Sequence, residues 1–278
     1  MVSHGTHKNV ARAARVLSLS IPGLAELFYR IGRWLAGSRP TACIRETAPG
    51  SVYTATSASS GQSWYAPNYW RARRYHFRDP SEWGEHLVEK YQLSNYLTEG
   101  CVLIDIGANT GELSVAALKG GANVIALEPD PRAHAALLLN TASWDSSAQI
   151  HLLAAASKAG DLTFWMATDG GDSSAIRPMS RIFQKSVMTT VQAVTCDALY
   201  TEASDFIANR PILLKVEAEG YEPEVLDGAA EVLQRCRFVT IDAGPEREGK
   251  PTIEACVRIL SQHGLNVRVT GNIVTAAP

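Results

Sequence analysis

Cysteine is scarce in this sequence, and its positions are not grouped. The 278 residues contain five cysteines, an odd number without a CxxC pair. A disulfide framework needs an even set at regular spacing, and a structural zinc site needs paired cysteines or histidines. The sequence therefore predicts reduced thiols and a cytoplasmic protein.

The chain also lacks an excess of charge of either sign. It carries 26 basic and 28 acidic side chains, which gives a formal net charge of -2. A protein that binds nucleic acid through its overall field carries a clear basic excess. We therefore expect no nucleic-acid partner.

No apolar run approaches the roughly 20 residues that a membrane-spanning helix needs. The most apolar early part, residues 10–35, is interrupted by Arg12, Arg15 and Pro22, which argues against a secretory signal. Residues 1–45 nevertheless carry seven basic groups against one acidic group. The sequence leaves two predictions for residues 8–37. They form a helical hairpin that packs on the main domain or on another subunit of a homo-oligomer, or they associate with an anionic membrane surface.

Several enzyme signatures are missing as well. There is no P-loop and no GxSxG, HExxH or GxGxxG motif. The absence of GxGxxG disfavours an NAD-dependent oxidoreductase. His76, His86, His134 and His151 have no partners at metal-ligand spacing, so packing or surface roles are expected for them.

Short apolar runs alternate with helical patterns in the part of the chain that follows Glu82. The runs are rich in Val and Ile, as buried parallel strands are, and the helices between them form βαβ units. Near the C-terminus, two runs flank Gly271-Asn272 and predict a hairpin at a sheet edge. The fold class is thus α/β, with a Rossmann-like seven-stranded, mostly parallel sheet and an antiparallel edge hairpin. The predicted parallel strands are 101–106, 123–127, 149–155, 212–216 and 238–241, and the predicted helices are 82–97, 112–119, 131–143 and 222–234.

The first part of the chain has a different composition. Residues 20–35 predict a short helix, and residues 38–63 predict a linker or an irregular strand region. Residues 64–83 mix aromatic side chains with arginines, which is typical either of a pocket cover or of a packed seam. We predict an N-terminal helical extension with linker and aromatic segment over 1–75 and the main domain over 76–278.

A glycine loop follows the first predicted strand of the main domain. In Asp105-Ile-Gly-Ala-Asn-Thr-Gly111, Gly107 and Gly111 allow a tight turn and a close backbone approach to a ligand, with Asn109 between them. Asp105 at the strand end suits a cationic or hydroxyl-bearing ligand better than a pyrophosphate.

The second strand ends at Leu127-Glu128-Pro129, one βα unit downstream. An acid at this place binds the ribose hydroxyls in Rossmann-like sites. The alternative for Glu128 is an ordinary acid at a helix N-terminus. Together with the glycine loop, the pattern favours a nucleoside site.

Three blocks of this sequence resemble the FkbM-type methyltransferases. They are Asp105 to Gly111, Leu127 to Pro129, and the block from Leu214 to Ala229, Leu-Lys-Val-Glu-Ala-Glu-Gly-Tyr-Glu-Pro-Glu-Val-Leu-Asp-Gly-Ala. The resemblance implies S-adenosylmethionine as cofactor and methylation of a hydroxyl oxygen on a small-molecule or glycan acceptor, such as a sugar or natural product. The residues that it assigns to the cofactor are Asp105, Gly107, Asn109, Gly111, Glu128 and Pro129.

The third block supplies the candidate catalytic residues. Where the family usually has Lys-Ile-Asp-Val-Glu-Gly, this chain has Lys215-Val-Glu217-Ala-Glu219-Gly220, so Glu217 keeps the charge on a longer side chain. Alternation along a strand places Lys215, Glu217 and Glu219 on one side. Neighbouring acids shift each other's pKa values, and we predict Glu219 as the base that takes the hydroxyl proton, assisted by Lys215.

Two other roles for these acids remain open. One is a structural ion pair with Lys215. The other is a Mg²⁺ site formed by Glu217, Glu219 and Asp242. The loop at residues 170–174 is predicted either to contact a ligand or to be a solvated turn. A nucleoside-binding or scaffold protein without catalysis is the alternative function.

Overall fold

The computed structural model describes residues 42–47, 52–57, 60–76, 79–167, 172–177 and 186–278. The predicted helix at 20–35 and most of the cationic N-terminal segment lie outside these ranges. Among the described helices, none is both long enough and apolar enough to cross a membrane.

The helices are α1 (Tyr69–Ala72), α2 (Pro80–Lys90), α3 (Glu112–Lys119), α4 (Pro131–Thr141), α5 (Cys196–Glu202), α6 (Ser204–Ile207), α7 (Glu222–Asp227), α8 (Ala230–Arg235) and α9 (Ile253–Gln262). The strands are β1 (Ala42–Glu46), β2 (Tyr53–Ser57), β3 (Ser63–Ala66), β4 (Val102–Ile106), β5 (Asn123–Leu127), β6 (Ala148–His151), β7 (Ala154–Ala155), β8 (Gly160–Ala167), β9 (Ser186–Val194), β10 (Ile212–Val216), β11 (Cys236–Asp242), β12 (Asn266–Thr270) and β13 (Ile273–Ala277).

Seven strands form the central sheet, in the order β12-β13-β11-β10-β4-β5-β6. The five strands from β11 to β6 are parallel, whereas β13 runs antiparallel to β11 and β12 runs antiparallel to β13. Gly271, with a φ of 61°, occupies the two-residue turn between β12 and β13. The predicted Rossmann-like sheet with its edge hairpin is confirmed.

The centre of the sheet is apolar on both faces. Every residue of β4 and β10 is buried. Helices α5 to α9 pack on one face, and α3 and α4 pack on the other. Strands covered on both faces need a continuous apolar sequence rather than an alternating one, which is why 123–127 and 212–216 were predicted with their correct bounds.

The predicted strand at 149–155 is wrong as one element. Strand β6 ends at His151, and β7 pairs in parallel with β9 in a second sheet of order β7-β9-β8. Ile150 of β6 packs partly buried against the core, and Ala154 and Ala155 of β7 are buried, so the sequence shows one apolar run although the chain changes sheets after residue 151.

Residues 42–66 contain an antiparallel sheet of order β1-β2-β3 where a linker or irregular strand region was expected. These strands are short and rich in Ala, Ser and Thr, so their hydrophobic period is weak. Tertiary packing stabilises them, because Ala55 and Trp64 lie in one buried cluster with Tyr75 and with Val115 of α3. This part of the chain therefore packs on the main domain.

Three predicted helices have different bounds in the structure. The helix predicted at 131–143 ends at Thr141. Helix α2 ends at Lys90 rather than at residue 97, and Gln92 two residues later has a left-handed φ of 54°. The helix predicted at 222–234 is split into α7 and α8 at Gly228. A Cβ at Gly228 would overlap the carbonyl oxygen of Ala156, so the glycine allows the junction of α7 and α8 to lie against the backbone that follows β7.

Candidate active site

A cavity of about 300 Å³ lies at the carboxyl ends of the central strands. Its walls come from the loops after β4, β5 and β10, from α2, and from the N-terminal segment around α1. Strand β4 has β5 on one side and β10 on the other, so the strand order reverses here. Ligands of open α/β sheets bind outside the carboxyl ends of strands at such a switch point.

The glycine loop after β4 is shaped by close backbone contacts. Gly107 has a φ of 72°, and a Cβ there would overlap the carbonyl oxygen of Glu217. Gly111, with a φ of 90°, caps α3, and a Cβ there would collide with Leu137. Asn109 also takes a left-handed φ, of 52°. The loop therefore keeps a conformation that requires glycine at residues 107 and 111.

Glu128 lies at the end of β5 and is 6% exposed. Its Oε2 accepts a hydrogen bond of 2.8 Å from the backbone N–H of Asn109, and its Oε1 accepts one of 2.8 Å from Asp130. Burial raises the pKa of Glu128 to about 7, against the effect of these two hydrogen bonds. Each carboxylate oxygen can accept a second hydrogen bond, so the group retains capacity for hydroxyl donors of a ligand. Pro129 lines the cavity beside it.

Asp105 and Lys215 form a buried ion pair beneath the loop. The Lys215 Nζ lies 3.0 Å from Asp105 Oδ1 and donates to the carbonyl oxygens of Ile106 and Gly107 at 3.1 and 2.9 Å. The hydroxyl of Ser114 donates to the other Asp105 oxygen at 2.7 Å. With only 1% of Asp105 and 2% of Lys215 exposed, the pair holds the glycine loop in place. The ion-pair alternative thus holds for Lys215, but its main partner is Asp105, and Glu219 is not among its contacts.

Glu217 is bound by two ammonium groups. Its carboxylate oxygens lie 3.5 Å from Lys215 Nζ and 3.3 Å from Lys90 Nζ. Burial alone would raise the pKa of Glu217, but the two lysines outweigh burial and hold it at about 2. Glu217 is therefore a permanent anion and is a poor proton acceptor at neutral pH.

Lys90 occupies the space between the acids that were considered for magnesium. Its Nζ lies 2.7 Å from Asp242 Oδ2 and donates to Tyr91 Oη at 3.1 Å. In the part of the chain that the structure describes, no group of three or more His, Cys, Asp or Glu side chains is placed to hold a metal ion. The geometry gives the Mg²⁺ hypothesis no support.

Glu219 does not continue the alternation of β10, because the strand ends at Val216. It has a left-handed φ of 51° and sits in a tight turn before Gly220. Its side chain lines the cavity, and no described residue donates a hydrogen bond to its carboxyl group. Burial, followed by the charge of Glu217, raises the pKa of Glu219 to about 8. Two acids that are two residues apart in one loop therefore have pKa values far apart, the arrangement that acid–base chemistry uses.

The turn that carries Glu219 is fixed by polar contacts. Buried Glu222 accepts hydrogen bonds from the N–H groups of Ala218 and Gly220 at 3.1 and 2.9 Å. On the outer side, Arg247 Nε donates to the Gly220 carbonyl at 2.8 Å. The left-handed conformation of a non-glycine residue such as Glu219 costs energy. Such a conformation is kept only where surrounding contacts fix it, as at many functional sites.

Residues 172–174 contact three parts of the site. Asp172 forms an ion pair with Arg71, the hydroxyl of Ser173 donates to Asp130 at 2.9 Å, and the hydroxyl of Ser174 donates to the Glu219 carbonyl at 2.8 Å. The described part of the predicted 170–174 loop thus contributes to the cavity wall, while residues 170 and 171 lie outside the description.

Residues 64–83 supply another part of the cavity wall. Arg71, Arg74 and Trp83 line the cavity, whereas Trp64 and Tyr75 pack in a buried cluster, so residues 64–83 combine the two roles that the sequence left open. The guanidinium carbon of Arg74 lies 5.1 Å from the centre of the Trp83 ring. Lys90 was not predicted, because a lysine in the last turn of an amphipathic helix is most often a surface residue.

The chain is similar to known proteins at the level of a family and of several solved structures. The model of the methyltransferase FkbM domain matches residues 105–265. A search of curated proteins finds no match. Among solved structures, a precorrin-6y C5,15-methyltransferase from Geobacter metallireducens is similar at 15% identity and a TM-score of 0.40, covering 71% of this chain and 89% of that one. A magnesium protoporphyrin IX methyltransferase from Synechocystis is similar at 12% identity and a TM-score of 0.40, over 76% and 84% of the two chains. The fibrillarin pre-rRNA processing protein of Methanococcus jannaschii is similar at 11% identity and a TM-score of 0.41, over 84% and 96%.

Proposed function

Since this chain belongs to the FkbM methyltransferase family, we propose that it transfers the methyl group of S-adenosylmethionine to a hydroxyl oxygen of a sugar or natural product, with Glu219 as the base. The observation that carries this proposal is the Glu219 carboxyl group, which faces the cavity without a protein hydrogen-bond donor among the described residues and has a pKa of about 8. A group that exchanges a proton near neutral pH is suited to general base catalysis.

The residues around Glu128 fit a nucleoside cofactor. The buried carboxylate has spare acceptor capacity for ribose hydroxyls, and the Gly107 backbone leaves no room for a side chain. Apolar side chains of Ala133, Leu153 and Phe164 line the same cavity and suit a flat base. When bound, S-adenosylmethionine supplies a methyl group on a positively charged sulfur.

The chain's own residues then hold and deprotonate the acceptor. The Glu219 carboxylate accepts the hydroxyl proton, so that the acceptor oxygen is not left with a positive charge when it bonds to the methyl carbon. The rigid turn at Ala218–Tyr221 fixes the direction of the carboxylate, and positioning is the larger part of catalysis in such transfers. Asp105 and Lys215 act indirectly, because they hold the glycine loop.

Two further expectations belong to the same proposal. The described cysteines Cys101, Cys196, Cys236 and Cys256 are buried and unpaired, which supports a reducing compartment such as the cytoplasm. Contact of residues 8–37 with a membrane, or with a second subunit, stays a prediction from the sequence.

Two measurements test the proposed function. Calorimetric titration with S-adenosylhomocysteine is expected to give binding to the parent and to Glu219→Gln, and strongly weakened binding to Glu128→Ala. Methyl transfer to a panel of sugars and polyketide alcohols is expected for the parent and is lost in Glu219→Gln. Absence of cofactor binding to the folded parent would favour a scaffold without catalysis. Full turnover by Glu219→Gln would remove Glu219 from its role as the base.

A further inference from the structure

Arg71 is a buried cation in the cavity wall. The residue is only 9% exposed, and its side chain projects from α1 into the lining of the cavity. Burial lowers the pKa of its guanidinium group, with the neighbouring charge of Arg74 acting in the same direction. An arginine nonetheless stays protonated in proteins, so a full positive charge is held at this wall.

Most of the hydrogen-bonding capacity of Arg71 is unused by the described residues. A guanidinium group has five N–H donors. One nitrogen, NH2, pairs with Asp172, whose side chain is 50% exposed, and its backbone N–H bonds to the Asn68 side chain. Arg71 lines the cavity, and no described residue accepts a hydrogen bond from its other guanidinium nitrogens. Unpaired donors of a buried cation are costly unless a ligand satisfies them.

A second arginine lies on the same wall. Arg74 follows in the 3-10 turn Arg73–His76 and also lines the cavity. Its ion pair with Glu112 is long, at 3.5 Å, because the Glu112 carboxylate already accepts hydrogen bonds of 2.6 Å from Tyr75 and 2.7 Å from Thr110. The guanidinium group of Arg74 is therefore only weakly paired with Glu112 and is available to bind an anion in the cavity.

Arg71 lies near the candidate base. Its ion-pair partner Asp172 is two residues from Ser174, whose hydroxyl donates to the Glu219 carbonyl oxygen at 2.8 Å, so the same short segment contacts both Arg71 and Glu219. Glu217 is neutralised by Lys90 and Lys215. An anion placed beside Arg71 is thus close to two guanidinium groups. It competes with the Asp172 carboxylate for Arg71, or binds Arg71 together with it.

We propose that the acceptor carries an anionic group, a carboxylate or a phosphate, next to the hydroxyl that is methylated, and that Arg71 binds this group with help from Arg74. The inference rests on the proposed methyl transfer and specifies its substrate class. A planar guanidinium binds the two oxygens of a carboxylate or phosphate in a bidentate fashion, which a neutral sugar does not offer. The anion would fix the distance from its neighbouring hydroxyl to Glu219.

The test uses the full chain saturated with S-adenosylhomocysteine, whose binding is measured first. Glucose, glucuronate and glucose 6-phosphate are then titrated as matched probes that differ in the anionic group. We expect glucuronate or glucose 6-phosphate to bind at least about tenfold more tightly than glucose, as charge-assisted hydrogen bonds predict. Preference for one of the two anions identifies carboxylate or phosphate as the recognised group.

Variants assign the preference to Arg71. Arg71→Gln is expected to lose the anion preference and to keep its affinity for S-adenosylhomocysteine, whereas Arg73→Gln, next to the same helix but outside the cavity lining, is expected to keep both. Asp172→Asn removes the competing carboxylate and is expected to tighten anion binding, which gives a second readout should Arg71→Gln fail to fold. Equal binding of the three probes, no binding of any, or an unchanged preference in Arg71→Gln would overturn the proposal. The proposed methyltransferase function fails separately, through loss of cofactor binding in the parent.

Discussion

Glu217 and Glu219 are two residues apart, yet their surroundings give them opposite protonation behaviour. Two ammonium groups surround Glu217, whereas Glu219 lies beyond the strand end, where the charge of Arg71 does not outweigh burial. The sequence identified both acids and selected Glu219 as the base. It did not show how the roles divide, because Lys90 comes from a helix 127 residues away in the chain.

The pKa of Glu219 leads to a prediction about the pH dependence of turnover. At pH 7, one unit below its pKa, about a tenth of this group is ionised. Only the ionised form accepts a proton, so kcat/KM is expected to rise about tenfold per pH unit below pH 8 and to level off above it. Initial rates from pH 6 to 9.5, at saturating cofactor, measure this limb.

The control for this profile is Glu219→Asp, which keeps a carboxylate at the turn on a shorter side chain. It is expected to retain a pH-dependent limb at a lower maximum rate. A rate that is flat between pH 6 and 8 in the parent would contradict general base catalysis by Glu219.

Lys90 gives a second prediction at this scale. Lys90→Met keeps much of the side-chain volume but leaves Glu217 and Asp242 without the ammonium group between them. We expect a loss of roughly 1–3 kcal/mol in the free energy of unfolding, the usual cost of removing a hydrogen-bonded charge partner. Denaturant unfolding measures it, with exposed Lys158→Met as the matched control. A loss no larger than that of the control would mean that Lys90 contributes only a surface contact.

At the scale of secondary-structure elements, strands covered on both faces were predicted best. Residues 123–127 and 212–216 match the structure, because continuous burial leaves a continuous apolar run. The weakly apolar strands at 42–66 and the change of sheet after residue 151 could not be predicted, since both depend on contacts between distant residues.

The contact between the loops after β4 and β10 yields a prediction about Gly107. Gly107→Ala combines a left-handed φ with overlap against the Glu217 carbonyl, so the two loops must separate. Gly264→Ala is the matched control, because Gly264 has a φ of 77° and an added methyl group there would meet no atom within 4 Å. We expect the control to lose about 1–2 kcal/mol from backbone strain alone.

Gly107→Ala is expected to lose clearly more stability than this control and also to lose affinity for S-adenosylhomocysteine. Thermal unfolding and calorimetric titration of the two variants measure the difference. Equal losses in both proteins would show that the approach of the two loops does not constrain the site.

At the scale of the whole molecule, the boundary predicted between residues 75 and 76 crosses a packed region. Tyr75 is 1% exposed, and its hydroxyl donates to Glu112 at 2.6 Å in the first turn of α3. Aromatic composition alone did not show whether residues 64–83 belong to an extension or to the main domain. The structure places their side chains in one cluster with Val115.

A truncation tests whether the main domain is independent of this region. A chain that starts at residue 76 loses Arg71 and Tyr75 and uncovers Val115, so we expect a lower midpoint of thermal unfolding and loss of acceptor binding. A chain that starts at residue 42 keeps these contacts and is the matched comparison. Equal midpoints for the two chains would support the predicted boundary at 75/76.

The charged residues beneath the cavity form a continuous row across three neighbouring strands. Asp105, Lys215, Glu217, Lys90 and Asp242 alternate in sign, with each in contact with the next. The desolvation cost of such networks falls on heating. Warming should therefore weaken the strand ends less than the wall formed by Arg71 and Asp172, where the acid of the ion pair is half exposed. The enzyme is expected to release its acceptor at temperatures at which it still holds its cofactor.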